Sequence, residues 1–145
     1  MINVHRVSEV LGGPRILKHR VRTLVELHEL VAEGLPKTSV KAVFTHLAEH
    51  YPIPLQPLRD FVAPPATLKR RRTRLSPTES QRLERLARIV AMTEDVWGDR
   101  QSAAEFLARP HPKLGGRTPL EMAATDLGVR QVEELLAAIE FGLPA

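Results

Sequence analysis

The chain contains no cysteine. That absence excludes a disulfide framework, a thiolate zinc site and a cysteine nucleophile. Aromatic residues are scarce as well, at 4% of 145 residues, with one Trp and one Tyr. A core must then be built from Leu, Val, Ile and Ala, which suits packed helices better than a sandwich or barrel. No apolar run approaches the ~18 residues that a membrane span requires. Glu9 stands where a secretory leader would want an apolar stretch, so the expected setting is the cytoplasm, away from any membrane.

What is present is unevenly placed. Apolar residues make up 43% and charged residues 26%, with a net charge of +4. Residues 1–72 carry 12 Lys/Arg against 6 Asp/Glu, whereas residues 73–145 carry 9 against 11. A basic first half and a mildly acidic second half imply two surfaces with different partners.

The periodicity is helical throughout. Residues 1–18 read as a short helix or irregular arm ending at Gly12-Gly13-Pro14. Val21, Leu24, Val25 and His28 fall at i, i+3, i+4 and i+7, and Gly34 stands where a C-cap glycine belongs. Pro36 forbids continuation, and Thr38 or Ser39 opens a second helix with Val40, Val43, Phe44, Leu47 and Tyr51 on its apolar face. Five prolines follow between Pro52 and Pro65, leaving room for two short proline-led helices joined by a bend at Ala63-Pro64. That outline is a helix-turn-helix. Ser76-Pro77-Thr78-Glu79 is a capping box, and the helix it opens runs to Gly98. Asp99 caps another. Thr118-Pro119-Leu120-Glu121 predicts a further helix, with Leu120, Ala123, Ala124 and Leu127 on one face and Gly128 as its stop. The last helix carries Val132, Leu135, Leu136 and Ile139 and ends at Gly142. No segment alternates long enough to be a strand. The fold class is all-α.

Lys69-Arg70-Arg71-Arg72-Thr73-Arg74 puts five cations in six residues at the end of the second short helix. A recognition helix over residues 67–72 would present Thr67, Lys69, Arg70, Arg71, Arg72 and Arg74 to DNA, as phosphate neutralisers or bidentate partners of guanine. His46-Leu47-Ala48-Glu49-His50 matches the inverted zinc-protease pattern, and imidazoles at i and i+4 share a helix face. The stronger reading places them on a core-building helix, because no third ligand or cleft accompanies them. Gly115-Gly116 lacks the spacing and Lys of a phosphate loop, and serves a turn. No nucleophile–base arrangement stands out, so neither an enzyme, a metal site nor a cofactor is expected. The end, Phe141-Gly142-Leu143-Pro144-Ala145, has no charged side chain. Either Leu143 folds back on Ile139, or the segment enters a partner's pocket.

Two strings carry a resemblance. Arg109-Pro110-His111-Pro112-Lys113-Leu114-Gly115-Gly116-Arg117-Thr118-Pro119-Leu120-Glu121 and Glu133-Glu134-Leu135-Leu136-Ala137-Ala138-Ile139-Glu140-Phe141-Gly142 resemble the signature of Xre/MbcA/ParS-type antitoxins of RES–Xre toxin–antitoxin systems. Residues 75–99 fit the same toxin-binding domain, while Gly34-Leu35-Pro36 and Thr67-Leu68-Lys69-Arg70-Arg71 sit where that family has its DNA-binding helices. The proline-rich 51–57 segment departs from the family's usual connection. The resemblance implies an Xre-like DNA-binding domain over 1–74 and a toxin-binding domain over 75–145. It also implies a RES-domain toxin that consumes NAD, silenced by coverage of its active site, and an operator bound by a homodimer. Arg117, Phe141, Gly142, Leu143, Pro144 and Ala145 would then meet the toxin. The competing class is a stand-alone transcription regulator whose second half dimerises or senses a ligand.

Overall fold

The structure, a computed structural model, describes residues 2–142. Among these, nine α-helices follow one another: α1 (Val4–Val10), α2 (Gly13–Leu17), α3 (Leu24–Glu33), α4 (Thr38–His50), α5 (Gln56–Val62), α6 (Pro65–Arg70), α7 (Pro77–Val96), α8 (Arg100–Ala108) and α9 (Asp126–Glu140). Two 3-10 turns, Pro112–Leu114 and Leu120–Ala124, lie between α8 and α9. The all-α expectation holds.

The longest helix, α7, begins as its sequence dictates. Ser76 Oγ accepts from the Glu79 amide at 3.1 Å, and Glu79 Oε1 accepts from the Ser76 amide at 2.9 Å. Pro77 fills the first helical position, where its missing N–H costs nothing. Twenty residues make a rod of about 30 Å. Leu83, Leu86, Ala87, Ile89 and Val90 are fully enclosed. Helices α1, α3, α4 and α5 pack against α7, and so do α8, α9 and the Leu120–Ala124 turn. One continuous hydrophobic core therefore runs through both halves of the sequence. None of the described helices is long and apolar enough to cross a membrane.

Three local expectations need correction. Residues 4–17, read as one short helix or an irregular arm, form two helices. Asn3 caps α1, and Arg6 Nε donates to Asp95 Oδ1 at 2.7 Å, fastening α1 to the end of α7. Helix α3 starts only at Leu24, behind a capping box of Thr23 and Glu26, and it turns Leu27 inward. Leu24 and Val25 face outward, 56% and 63% exposed. The Thr118 box does form, but it opens a 3-10 turn. Leu127 is then 73% exposed, and Gly128 lies inside the first turn of α9, which Thr125 caps. A β-carbon on Gly128 would sit 2.1 Å from the Met122 carbonyl oxygen, so the glycine is there for close packing.

Candidate functional site

The two short proline-led helices exist where the prolines place them. In α5, Pro57 lies in the first turn and Leu58 and Val62 are buried. Ala63 is extended and buried, Pro64 turns the chain, and Pro65 opens α6. Helix α6 buries none of its residues. It stands on the surface with Lys69 and Arg70 exposed, and Arg70 Nη2 donates to Thr67 Oγ1 at 3.3 Å.

The cations beyond Arg70 leave the helix. Arg71 is its extended C-cap, and its guanidinium turns back to α7, with Nε and Nη2 each 2.9 Å from a Glu79 oxygen. The Arg71 hydrogen bonds, against the opposing effect of burial, hold the Glu79 carboxyl below the usual carboxylate range. Arg72 and Arg74 are exposed, and Arg74 Nη1 lies 3.9 Å from Glu33 Oε2. Of the six residues read as DNA contacts, then, Thr67, Lys69 and Arg70 share α6. Arg72 and Arg74 follow it, and Arg71 is engaged inside the chain.

The segment after α6 is fastened to the turn after α3. Leu75 N donates to Leu35 O and Lys37 N to Thr73 O, both at 2.9 Å, while Leu35 N donates to the buried Ser80 Oγ at 2.8 Å. Gly34 makes this approach possible. Its φ is +106°, and a β-carbon there would lie 2.4 Å from Leu75 O.

Sequence reading missed part of this surface. A groove of about 530 Å³ lies beside α6, and Lys37, Lys41 and Arg59 contribute to its lining. Lys37 Nζ donates to Arg71 O at 3.2 Å, and Arg59 lies 5.3 Å from the Phe44 ring centroid. These three cations come from α5, α4 and the turn before α4, so no run of charge announces them.

The His46/His50 pair is built into the fold. His46 Nε2 and Glu94 Oε2 share a 2.7 Å hydrogen bond, His50 Nδ1 and His46 O one of 2.8 Å, and Tyr51 donates to Glu94. Burial pushes the Glu94 carboxyl up, but the bonds from His46 and Tyr51, with Arg6 nearby, leave it below the usual range. No cluster of three or more His, Asp or Glu placed for a metal occurs among the described residues.

In the second half, Arg117 ends a tight turn. His111 N donates to Arg117 O, Gly116 N to His111 O, and Gly115 and Gly116 both take positive φ. Arg117 is exposed, and buried Leu114 anchors the turn, which packs against α9. Phe141 caps α9 and is 73% exposed, and Gly142 turns the chain at φ +67°. Leu143, Pro144 and Ala145 lie outside the described residues.

The two short helices α5 and α6 have the outline of a helix-turn-helix, the architecture of a DNA-binding domain, and α7 joins them to a second helical module. A family model described as the antitoxin Xre-like helix-turn-helix domain matches residues 26–88, and the antitoxin Xre/MbcA/ParS C-terminal toxin-binding domain matches residues 92–142. An antitoxin Xre of Pseudomonas putida is 36% identical over 125 residues, covering 81% of this chain and 72% of that protein. An antitoxin Xre of Yersinia enterocolitica is 33% identical over 90 residues, 59% of this chain and 61% of the relative. One from Photorhabdus laumondii is 38% identical over 66 residues, 45% of each. The chain belongs to the Xre/MbcA/ParS antitoxin family, whose members serve type II toxin–antitoxin systems.

Proposed function

We propose that this antitoxin neutralises a RES-domain, NAD-consuming toxin by covering its active site, and represses its own operon by binding operator DNA as a homodimer. The labour divides at about residue 74. Residues 1–74 hold the operator and residues 75–145 the toxin, in the cytoplasm, with no catalysis or cofactor in this chain. The observation that carries the DNA half is α6, a helix with no buried residue that presents Lys69 and Arg70 beyond a turn anchored by buried Ala63. Arg72, Arg74, Lys41 and Arg59 flank it as phosphate contacts. Arg71, its charge paired with Glu79, positions this segment from within.

The toxin half rests on the Arg117 turn and on Phe141, an exposed aromatic at the end of a well-anchored helix. In this reading Gly142, Leu143, Pro144 and Ala145, none of which has a charged side chain, enter the toxin's pocket. Pro144 has a fixed φ, which lowers the entropy lost on ordering the segment in a pocket. Co-expression with the adjacent gene tests the reading. The two products should co-purify, the complex should consume no NAD, and it should retard its own promoter DNA. A neighbouring product that does not bind the chain would reject it.

A further inference from the structure

The groove of about 530 Å³ beside the basic helix lies between α4, α5 and α6. That volume falls within the ~300–1,000 Å³ of small-molecule pockets. Its floor is apolar. Phe44 of α4 and Val62 of α5 are buried there, and half-buried Leu68 of α6 forms part of the wall. An occupant of the groove therefore touches the inner side of α6, a helix that buries none of its own residues.

The rim is cationic. Lys37, Lys41 and Arg59 stand around it against one carboxylate, Asp60, which leaves an excess of two positive charges. Asp60 Oδ1 accepts from the Gln56 side-chain amide at 2.9 Å, a neutral donor that does not alter this balance. Lys37 spends one of its donors on Arg71 O, at 3.2 Å, and keeps its charge. The Arg59 guanidinium lies 5.3 Å from the Phe44 ring centroid, where the negative face of the ring draws it over the apolar floor.

Charge and floor together narrow the occupant. A phosphate monoester carries about −1.5 to −2 charge near neutral pH, with three acceptor oxygens, and so balances the rim where one carboxylate falls short. An operator phosphate would answer the cations, but its sugar is polar and has no use for Phe44 and Leu68. An apolar or aromatic body that bears a terminal phosphate answers both features at once.

We infer that this groove binds a small organic monophosphate, with its phosphate on Lys41 and Arg59 and its body against Phe44 and Leu68, and that the bound molecule competes with operator DNA. The competition rests on the proposed operator reading, in which Lys41 and Arg59 are phosphate contacts.

Isothermal titration calorimetry of the full chain with naphthyl phosphate tests the site. The probe should bind with a Kd below about 100 μM, and inorganic phosphate and naphthol should each bind at least about tenfold more weakly. Lys41→Gln and Arg59→Gln should each weaken the probe by about tenfold or more, through loss of a charge-assisted hydrogen bond. Thr45→Trp fills the groove from an exposed position of α4 without changing its charge, and should abolish binding. Arg20→Gln removes the same charge from an exposed residue outside the groove and should leave binding unchanged. All four positions are exposed, so the variants should melt close to the unaltered chain. Fluorescence anisotropy of labelled promoter DNA reads the competition. The probe should release DNA from the unaltered chain and not from Thr45→Trp. No heat with the probe, or binding that survives Thr45→Trp, would overturn the site. Inorganic phosphate binding as tightly as the probe would overturn it too, and would leave the cations to the DNA backbone. A probe that binds without releasing DNA would overturn the competition. A chain that binds the probe but ignores its promoter would reject the operator reading while the site stands.

Discussion

Arg71 grips Glu79 through two parallel 2.9 Å hydrogen bonds, and Glu79 is at the same time the capping residue of α7. One carboxylate thereby serves two elements. It closes the start of the central helix and holds the basic segment that leaves α6. Arginine suits the position because its planar fork matches a carboxylate with both bonds at once.

Arg70 and Arg71, adjacent in sequence, should therefore respond differently to removal. Arg70→Ala should leave the thermal melt unchanged while weakening operator binding. The slope of log K against log salt should shrink by about 0.9 for each phosphate that is no longer neutralised. Arg71→Ala should lower the melting temperature as well, because it strips the buried Glu79 carboxylate of its partner. Arg71→Lys should rescue only part of that loss. Equal melts for the two alanine variants would show that the Arg71–Glu79 pair is not structural.

Gly34→Ala should be among the more damaging glycine substitutions. It combines a positive φ with a β-carbon 2.4 Å from a backbone oxygen, so strain of ~1–3 kcal/mol adds to displacement of Leu75. Gly116 also has a positive φ, +79°, but nothing lies within 4 Å of its added β-carbon. Gly116→Ala should cost only the conformational part. Urea midpoints of the two variants compare them directly, and a larger loss at Gly116 would contradict this account.

Much of this architecture was readable because the signals were local. Ser76-Pro77-Thr78-Glu79 fixes where α7 starts, and Pro57 and Pro65 each sit in the first turn of a short helix, which is where a missing N–H is harmless. The failures came where a tertiary neighbour decided. Val21, Leu24, Val25 and His28 fit the spacing of a buried face, yet that spacing describes any face: Val21 is buried ahead of the helix, and α3 turns Leu27 inward while Leu24, Val25 and His28 face outward. Gly128 reads as a helix stop until the Met122 carbonyl is seen against it. Thr118 and Glu121 form their box, but the chain leaves it as a 3-10 turn because Thr125 caps a new helix, α9, soon afterwards. Of the site, the helix-turn-helix and its exposed cations were legible. The turning-in of Arg71 was not, since its partner lies beyond the helix, and Lys41 and Arg59 join the same surface only through folding.

Acid should loosen the molecule through its depressed carboxylates. Glu94 and Glu79 both titrate below the usual glutamate value of about 4.3. A lowered folded pKa means that their contribution is present above that value and is lost as pH falls through the folded one. Glu84 runs the other way. Burial raises it despite Arg88, so protonation on acidification favours the folded state at that site. Stability should fall as the pH drops below the ordinary glutamate value of about 4.3, and Glu94→Gln should make that fall shallower. Urea unfolding at several pH values measures both slopes. An unchanged slope in Glu94→Gln would remove the His46–Glu94–Tyr51 cluster from the explanation.

Deleting residues 143–145 separates two fates for the uncharged end. If it plugs the toxin, the shortened chain melts like the full one and still binds toxin, but NAD consumption resumes. If Leu143 folds back on Ile139, the melting temperature drops, and inhibition falls only with the folded fraction. Full inhibition by a stably folded truncation would reject the plug.

On the function proposed above, toxin and operator are held by different surfaces of one chain. Titrating Arg70→Ala into the toxin while following NAD consumption tests it most directly. The variant should inhibit at the same stoichiometry as the unaltered chain, although its operator complex is weakened. A loss of inhibition in step with the loss of operator binding would contradict the claim.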